Sequence, residues 1–377
     1  MKRKLWIVAI ALSGLSPAGR GEPLLSFGPD IPFFVTGSAT VRRDDNVFLT
    51  SQDHKADTVF LLNPGIDMHY AGGEASAALT YSEQFVRYAT DKGLNDNLAS
   101  VDGNFGYKGS TSKFGADASY LQEDQSTLLA QNQDQTLKHS LASASIDGEW
   151  GLTAKTSLSG GASLQRTTYP ETGLTNSDAW SFPVDLYYSV SPKVDLSLGY
   201  RYDKTTLDSG VGDTTDDFFN VGARGDFTPK LSGQVRVGVT ELRAGHAGGG
   251  NTSQLGLGAT LQYLVSPKTT LNLSADNGFT ESALGTSQEV LAINSTANIA
   301  ISPAWTLTLG GSFDSTRYLM LLPPRKDYFW VGDVGLGYAW STNTSFQLSY
   351  LFRRNDSTVS LATFDDDVLS LSASSRF

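Results

Sequence analysis

The sequence predicts an all-β fold: a transmembrane, antiparallel, up-and-down β-barrel of about 18 strands, with short turns on one rim and longer loops on the other. Three observations carry this expectation. The first is a repeat: Ser191-Pro192-Lys193, Thr228-Pro229-Lys230, Ser266-Pro267-Lys268 and Ser302-Pro303-Ala304 space their prolines 37, 38 and 36 residues apart. The second is strict alternation on both sides of each turn, as in Val194-Asp195-Leu196-Ser197-Leu198-Gly199-Tyr200-Arg201-Tyr202. A period of two marks strands, and a short turn between two of them marks a hairpin. The third is a double band of rings. Tyr70, Trp150, Tyr188, Tyr263, Trp305 and Trp340 fall near the turns; Tyr81, Phe85, Tyr120, Trp180, Tyr202, Phe219, Phe313, Tyr328, Trp330 and Phe352 fall near the loops. Two membrane interfaces select such girdles. Alternation alone also suits a soluble β-sandwich. The long, uniform strands, the near absence of proline within them (Pro183 excepted) and the two girdles favour the membrane barrel.

At the start of the chain, residues 1–18 read as a secretory signal. Lys2, Arg3 and Lys4 are followed by the apolar run Leu5 to Leu12, too short to span a bilayer, and by the small residues Ser16 and Ala18 around Pro17. Cleavage is expected after Ala18, which leaves residues 19–377 as the barrel. The first strand begins near Phe33, so no N-terminal plug domain is expected. Loops then run approximately over 44–56, 88–96, 123–136, 170–178, 204–216, 244–252, 281–288, 316–327 and 354–366. Between them lie short turns near Gly72-Gly73, Ser110-Thr111-Ser112, Lys155-Thr156, the four proline turns (three at Pro192, Pro229 and Pro267 and one at Pro303), and Ser341-Thr342-Asn343. Proline suits such turns because its φ is preset and no ladder hydrogen bond is needed there. Eight turns and nine loops separate eighteen strands, and an even count places both ends on the turn side. Strands of roughly 11–13 residues match a tilted crossing.

Composition sets further bounds. There is no cysteine, which removes disulfides, thiolate metal sites and cysteine nucleophiles. A net charge of −11 argues against nucleic acid as a partner. No apolar run after residue 20 reaches 18 residues, so helical spans are not expected. The mean hydropathy of −0.20 does not oppose a membrane barrel, whose apolar residues occupy every second position.

The alternation also assigns faces. In Leu231 to Val239 the odd positions are apolar and face lipid; in Phe346 to Arg353 the even ones do. The lumen is then expected to receive Asp67, Asp102, Asp117, Asp147, Glu149, Asp185, Asp195, Asp203, Asp226, Asp276, Asp314 and Asp333, with Lys108, Arg201, Arg224, Arg236 and Arg353. Acids outnumber bases there, and charged rings set the sign of ion preference in a pore. The plainer reading is mutual pairing across strands, with Arg201 beside Asp203 and Arg224 beside Asp226 on one face. Asn104, Gln165, Asn220, Gln234, Gln262, Asn272 and Gln347 add amides to the same face.

Two loops stand out. Residues 122–136 form the longest loop that could fold inward as a constriction, and Leu319 to Pro324 carry an apolar run that continues a strand, lids the mouth or meets a partner. His54 and His246 fall in loops, His139 at a strand start and His69 near a turn. No serine motif or metal-ligand spacing accompanies them, so they read as surface histidines; no enzyme, metal or cofactor is expected.

Two stretches resemble known proteins. The ending Leu369-Ser370-Leu371-Ser372-Ala373-Ser374-Ser375-Arg376-Phe377 resembles the closing strand of bacterial outer-membrane barrels, although Ser375 departs from the apolar residue common there. That resemblance implies that Phe377 is the signal read by the outer-membrane barrel assembly machinery. Arg43-Asp44-Asp45-Asn46-Val47-Phe48-Leu49 with Asp57-Thr58-Val59-Phe60-Leu61-Leu62-Asn63-Pro64-Gly65 resembles the first hairpin of a β-barrel porin family often encoded beside exopolysaccharide synthesis genes. By their chemistry alone, Asp44, Asp45 and Asn46 are turn formers, with a calcium or sugar contact as the alternative. The resemblance implies a Gram-negative outer membrane and lipid contact. It implies a porin-like channel that exports a polysaccharide, with periplasmic export components as partners. A general diffusion porin for small hydrophilic solutes is the alternative. A non-conducting structural or adhesive barrel is a third, for which longer loops are expected.

Overall fold

The computed structural model describes residues 23–28, 30–126, 136–170, 173–208, 213–245, 251–319, 321 and 323–377. The signal expected over residues 1–18 and His246 lie outside them. The strands are β1 Leu25–Ser26, β2 Pro32–Asp44, β3 Asp57–Gly72, β4 Ala75–Tyr88, β5 Asp96–Lys108 and β6 Ser112–Ser126. Then come β7 Thr136–Gly151, β8 Thr156–Thr168, β9 Ser177–Ser191, β10 Val194–Leu207, β11 Thr214–Asp226, β12 Leu231–Ala244 and β13 Asn251–Ser266. The last are β14 Thr269–Glu281, β15 Ser287–Ala300, β16 Trp305–Tyr318, β17 Lys326–Ala339, β18 Thr344–Ser357 and β19 Phe364–Arg376.

Each strand from β2 to β19 pairs antiparallel with its chain neighbours, and β19 pairs with β2 from Val368↔Asp44 to Arg376↔Thr36. This closes an eighteen-stranded barrel. Closure matters because an open sheet edge cannot be satisfied in lipid. The two-residue β1, which the alternation does not foretell, adds to β2 through Leu25↔Phe33 and Ser26↔Pro32. Strands run 13 to 16 residues, longer than the sequence suggests, because the ladders continue past the apolar band into the loops.

The turns are built as their residues require. Ser191, Thr228, Ser266 and Ser302 each turn a hydroxyl back onto backbone N–H groups; Ser302 Oγ accepts from Ala304 N at 3.3 Å and Trp305 N at 3.1 Å. Gly73, at φ 58°, adopts the left-handed conformation its turn needs. The outer face carries Phe182, Val184, Leu186 and Tyr188 at alternate positions of β9, all exposed. Pro183 sits between two of them and donates nothing. The β8–β9 ladder breaks beside it, between Gly160↔Val184 and Ser163↔Ser181.

Two further ladders stop short on the loop side. β5 and β6 pair only as far as Ser100↔Leu121, although both strands continue upward. β13 and β14 pair only as far as Leu257↔Asn277, although β13 begins at Asn251 and β14 ends at Glu281. The loop between β2 and β3 folds back on itself around Asn46, which is fully buried. Its Nδ2 donates to the carbonyls of Thr50 and Asp365, each at 2.9 Å, and its Oδ1 accepts from Thr50 N at 3.0 Å.

Candidate functional site

The barrel encloses a cavity of about 1710 Å³. Strand parity and register decide which side chains reach it. Asp102, Asp117, Asp147, Glu149, Asp185, Arg201, Arg224, Arg236, Asp276, Asp314 and Arg353 line it. Asp195 lines an adjoining cavity of about 650 Å³ with Lys113, Arg224 and Gln234. Asp67 and Asp203 stand on the same inner face through their ion pairs, Asp67 with Arg376 at 2.7 Å and Asp203 with Arg201 at 2.7 Å. Asp333 shares the parity of the buried Val331, and Lys108 and Asp226 lie at turn ends across from or beside Lys113 and Arg224.

At the turn-side mouth these residues form one network. Arg224 on β11 lies flat over the Tyr187 ring of β9, its guanidinium carbon 3.4 Å from the ring centroid. From there its NH2 group reaches Glu149 on β7 at 2.6 Å, and its Nε donates to Asp195 at 3.0 Å. Ser157 Oγ and Lys113 also hold Glu149, at 2.7 and 3.6 Å. Beside it, Arg236 donates to Asp185 at 2.8 Å and to the Tyr187 hydroxyl at 2.9 Å. The sequence suggests Asp226 as the partner of Arg224. The structure corrects this: Arg224 spans β7 to β11 because the long guanidinium side chain can run along the inner wall over a ring.

At the loop-side mouth the assigned Arg353 meets carboxylates that the alternation did not assign. Arg353 pairs with Asp366 at 2.5 Å and approaches Asp44 at 3.8 Å. Arg325 pairs with Asp327 at 2.6 Å, and Ser357 Oγ donates to the same carboxylate at 2.6 Å. Asp44, Asp327 and Asp366 sit where strands run into loops. The same period carried two residues further would have found Asp44 and Asp366. His139 is a second correction. It is buried, 3.3 Å from Glu123 and stacked on Tyr169, rather than on the surface. Burial pushes the hydroxyl of Tyr169, in the loop beyond β8, up to about 12. His69, near the turn side, meets Asp67 at 2.8 Å.

Residues 127–135, most of the loop expected to constrict the pore, lie outside the described residues, as do Met320 and Leu322 of the apolar run. The strand ends that carry the first loop, Leu121 to Asp124 and Leu137, line the cavity. Among the described residues no cluster of His, Asp and Glu could hold a metal ion.

Hydroxyl groups make up much of the remaining wall. Ser119 and Ser143 bond at 2.6 Å on β6 and β7, Thr40 and Ser372 at 2.8 Å across the closing seam, and Ser345 and Ser374 at 2.8 Å on β18 and β19. Two apolar patches interrupt it near the loops: Val59 with Val86 and Leu98, and Val331 with Leu351 and Val368.

Residues 213–377, from the start of β11 to the C-terminus, match the family described as "Putative beta-barrel porin 2". No curated protein sequence matches the chain. Among solved structures, Pseudomonas aeruginosa OccK2 (OpdF) is 10% identical with a TM-score of 0.49, over 93% of this chain and 99% of that one. Acinetobacter baumannii OccAB4 is 10% identical with a TM-score of 0.48, over 92% of this chain and 98% of that one. The siderophore receptor PiuA from Acinetobacter baumannii is 10% identical with a TM-score of 0.47, over 92% of this chain and 82% of that one. The family match covers the C-terminal 165 residues, and the fold it falls on is the closed eighteen-stranded barrel.

Proposed function

We propose that this barrel exports a polysaccharide from the periplasm to the cell surface. The observation that carries the reading is the hydroxyl-bearing lane along the cavity. Ser119, Ser143, Ser145, Ser159, Ser163 and Ser181 line it over β6 to β9, and Ser349, Ser370, Ser372 and Ser374 over β18 and β19. A threading sugar chain trades water for many weak hydrogen bonds to such groups. Passage requires that each contact be favourable enough to enter and weak enough to leave. The acid excess on the inner wall repels an anionic polymer and suits a neutral or cationic one. The resemblance of the first hairpin to a family encoded near exopolysaccharide genes supports the same reading; the family match of the C-terminal strands supports a porin without naming its cargo. Residues 1–18 would direct the chain through the inner membrane, and Phe377 would present it to the assembly machinery.

Deletion of the gene tests the proposal. Surface polysaccharide is expected to be lost, and uptake of small hydrophilic solutes to be unaffected. A cell that keeps its polysaccharide but takes up such solutes more slowly would establish the diffusion porin instead.

A further inference from the structure

We propose that the tip of the β14–β15 hairpin is a hinged flap: it is curled into the loop-side mouth and opens by zipping back onto β13. The inference rests on the barrel being a channel and does not depend on its cargo. Above the last cross-strand pair, Leu257↔Asn277, β14 has parted from β13 while it stays paired with β15 as far as Glu281↔Ser287, and Gly278 to Glu281 line the cavity.

Two contacts and a buried patch bear on where it lies. Thr214 Oγ1 on β11 donates to Glu281 at 3.0 Å, although β12 and β13 separate those strands in the wall. Thr175 N, in the loop between β8 and β9, donates to the carbonyl of Ala283 at 2.8 Å. Phe218, Thr240 and Leu242, inward-facing on β11 and β12, are 4%, 1% and 3% exposed. Inner-wall residues at an open mouth would be wet; these are dry, with Phe218 also under the Arg201 guanidinium, 4.9 Å from its ring centroid.

The curled position leaves backbone groups without their ladder. Continuing the register would pair Gly256 with Gly278, Leu255 with Phe279, Gln254 with Thr280 and Ser253 with Glu281. In their place Asn277 Nδ2 donates to the Leu255 carbonyl at 2.7 Å. Both amide atoms of Gln254 are buried without a hydrogen-bond partner. The curled state thus trades ladder bonds and an amide for the burial of Phe279, Ala283 and the rings and methyls beneath them. The zipped state reverses the trade, and glycines stand on both strands at the fork, Gly256 against the Phe218 ring and Gly278 opposite it. A matching fork stands across the barrel. There β6 parts from β5, Leu121 to Asp124 line the cavity consecutively, and Gln122 Oε1 accepts from Ala99 N at 3.1 Å.

The chain has no cysteine, so paired substitutions can lock either state without side reactions. Two variants of the full-length barrel, Gln254→Cys/Thr280→Cys and Thr175→Cys/Ala283→Cys, would be folded, checked for the heat-modifiable mobility of a closed barrel, and reconstituted in planar bilayers. On oxidation the 175–283 pair should cross-link and lower the conductance, and the 254–280 pair should cross-link and raise it, with reductant reversing both. Failure of the 254–280 pair to cross-link in the folded barrel, or equal conductance of oxidised and reduced forms in both variants, overturns the flap while leaving a conducting channel. Absence of current in every form, the zipped one included, overturns the channel and the flap together.

Discussion

Single residues in this wall act through what they leave behind when removed. Asn46 satisfies the N–H and carbonyl of Thr50 within its loop and the Asp365 carbonyl on β19, and it is fully buried. Replacing it with alanine strands those groups, at roughly 1–3 kcal/mol for a buried polar group left unpaired. Asn46→Ala is expected to expose residues 45–56 to limited proteolysis while insertion into bilayers stays normal; an unchanged digestion pattern would contradict the anchoring role. Arg224 is the comparable residue at the turn-side mouth. Its removal leaves Asp195 without a cation and Glu149 with Lys113 alone, at 3.6 Å. Arg224→Gln should cost roughly 1–3 kcal/mol, less than a fully buried pair because a quarter of the side chain reaches water. It should also shift the reversal potential further toward cations at low salt. A shift toward anions would mean that the freed carboxylates do not face the conduction path.

Whole strands are held by facing and by the seam. Val237, in the middle of β12, is exposed on the outer face. Val237→Arg places a charge near the bilayer midplane, which costs about 2–4 kcal/mol. Folding yield in bilayers should fall accordingly, and an unchanged yield would refute the facing. The seam ends on Phe377, whose N–H donates to Val35 O at 2.9 Å and whose carbonyl accepts from Val35 N at 2.7 Å. Deleting Phe377 removes both bonds and the last lipid-facing ring of the closing strand. The heat-modifiable, closed fraction should drop and assembly should slow; equal rates for the shortened chain would show that the seam closes without it.

At the scale of the molecule the acid excess of the lumen decides ion preference. The purified barrel is expected to conduct with modest cation selectivity that fades as salt rises, since screening lengths fall from about 10 Å at 0.1 M to about 3 Å at 1 M. Anion selectivity at low salt would sink this prediction. Much of the molecule was legible beforehand for a local reason. Strand period and turn chemistry are written in neighbouring residues, so the loops expected at 244–252 and 281–288 fall within a residue of the observed ends of β12 and β14, and the even strand count follows.

The chain's own order of residues determined the number of strands, which rim carries the turns, and the face on which Asp102, Asp185, Arg236 and Arg353 stand, because a pleat of period two needs no knowledge of what lies across the lumen. Tertiary structure alone decided who meets whom. Arg224 and Glu149 are 75 positions apart and touch because the curved wall brings β7 within reach of β11. His139 is dry because Tyr169 and Glu123 close over it. The parting of β14 from β13 follows no local signal, since Gly278 to Glu281 continue the strand pattern. The bond that Glu281 accepts from Thr214 exists only once the barrel has closed and its separate strands share one mouth.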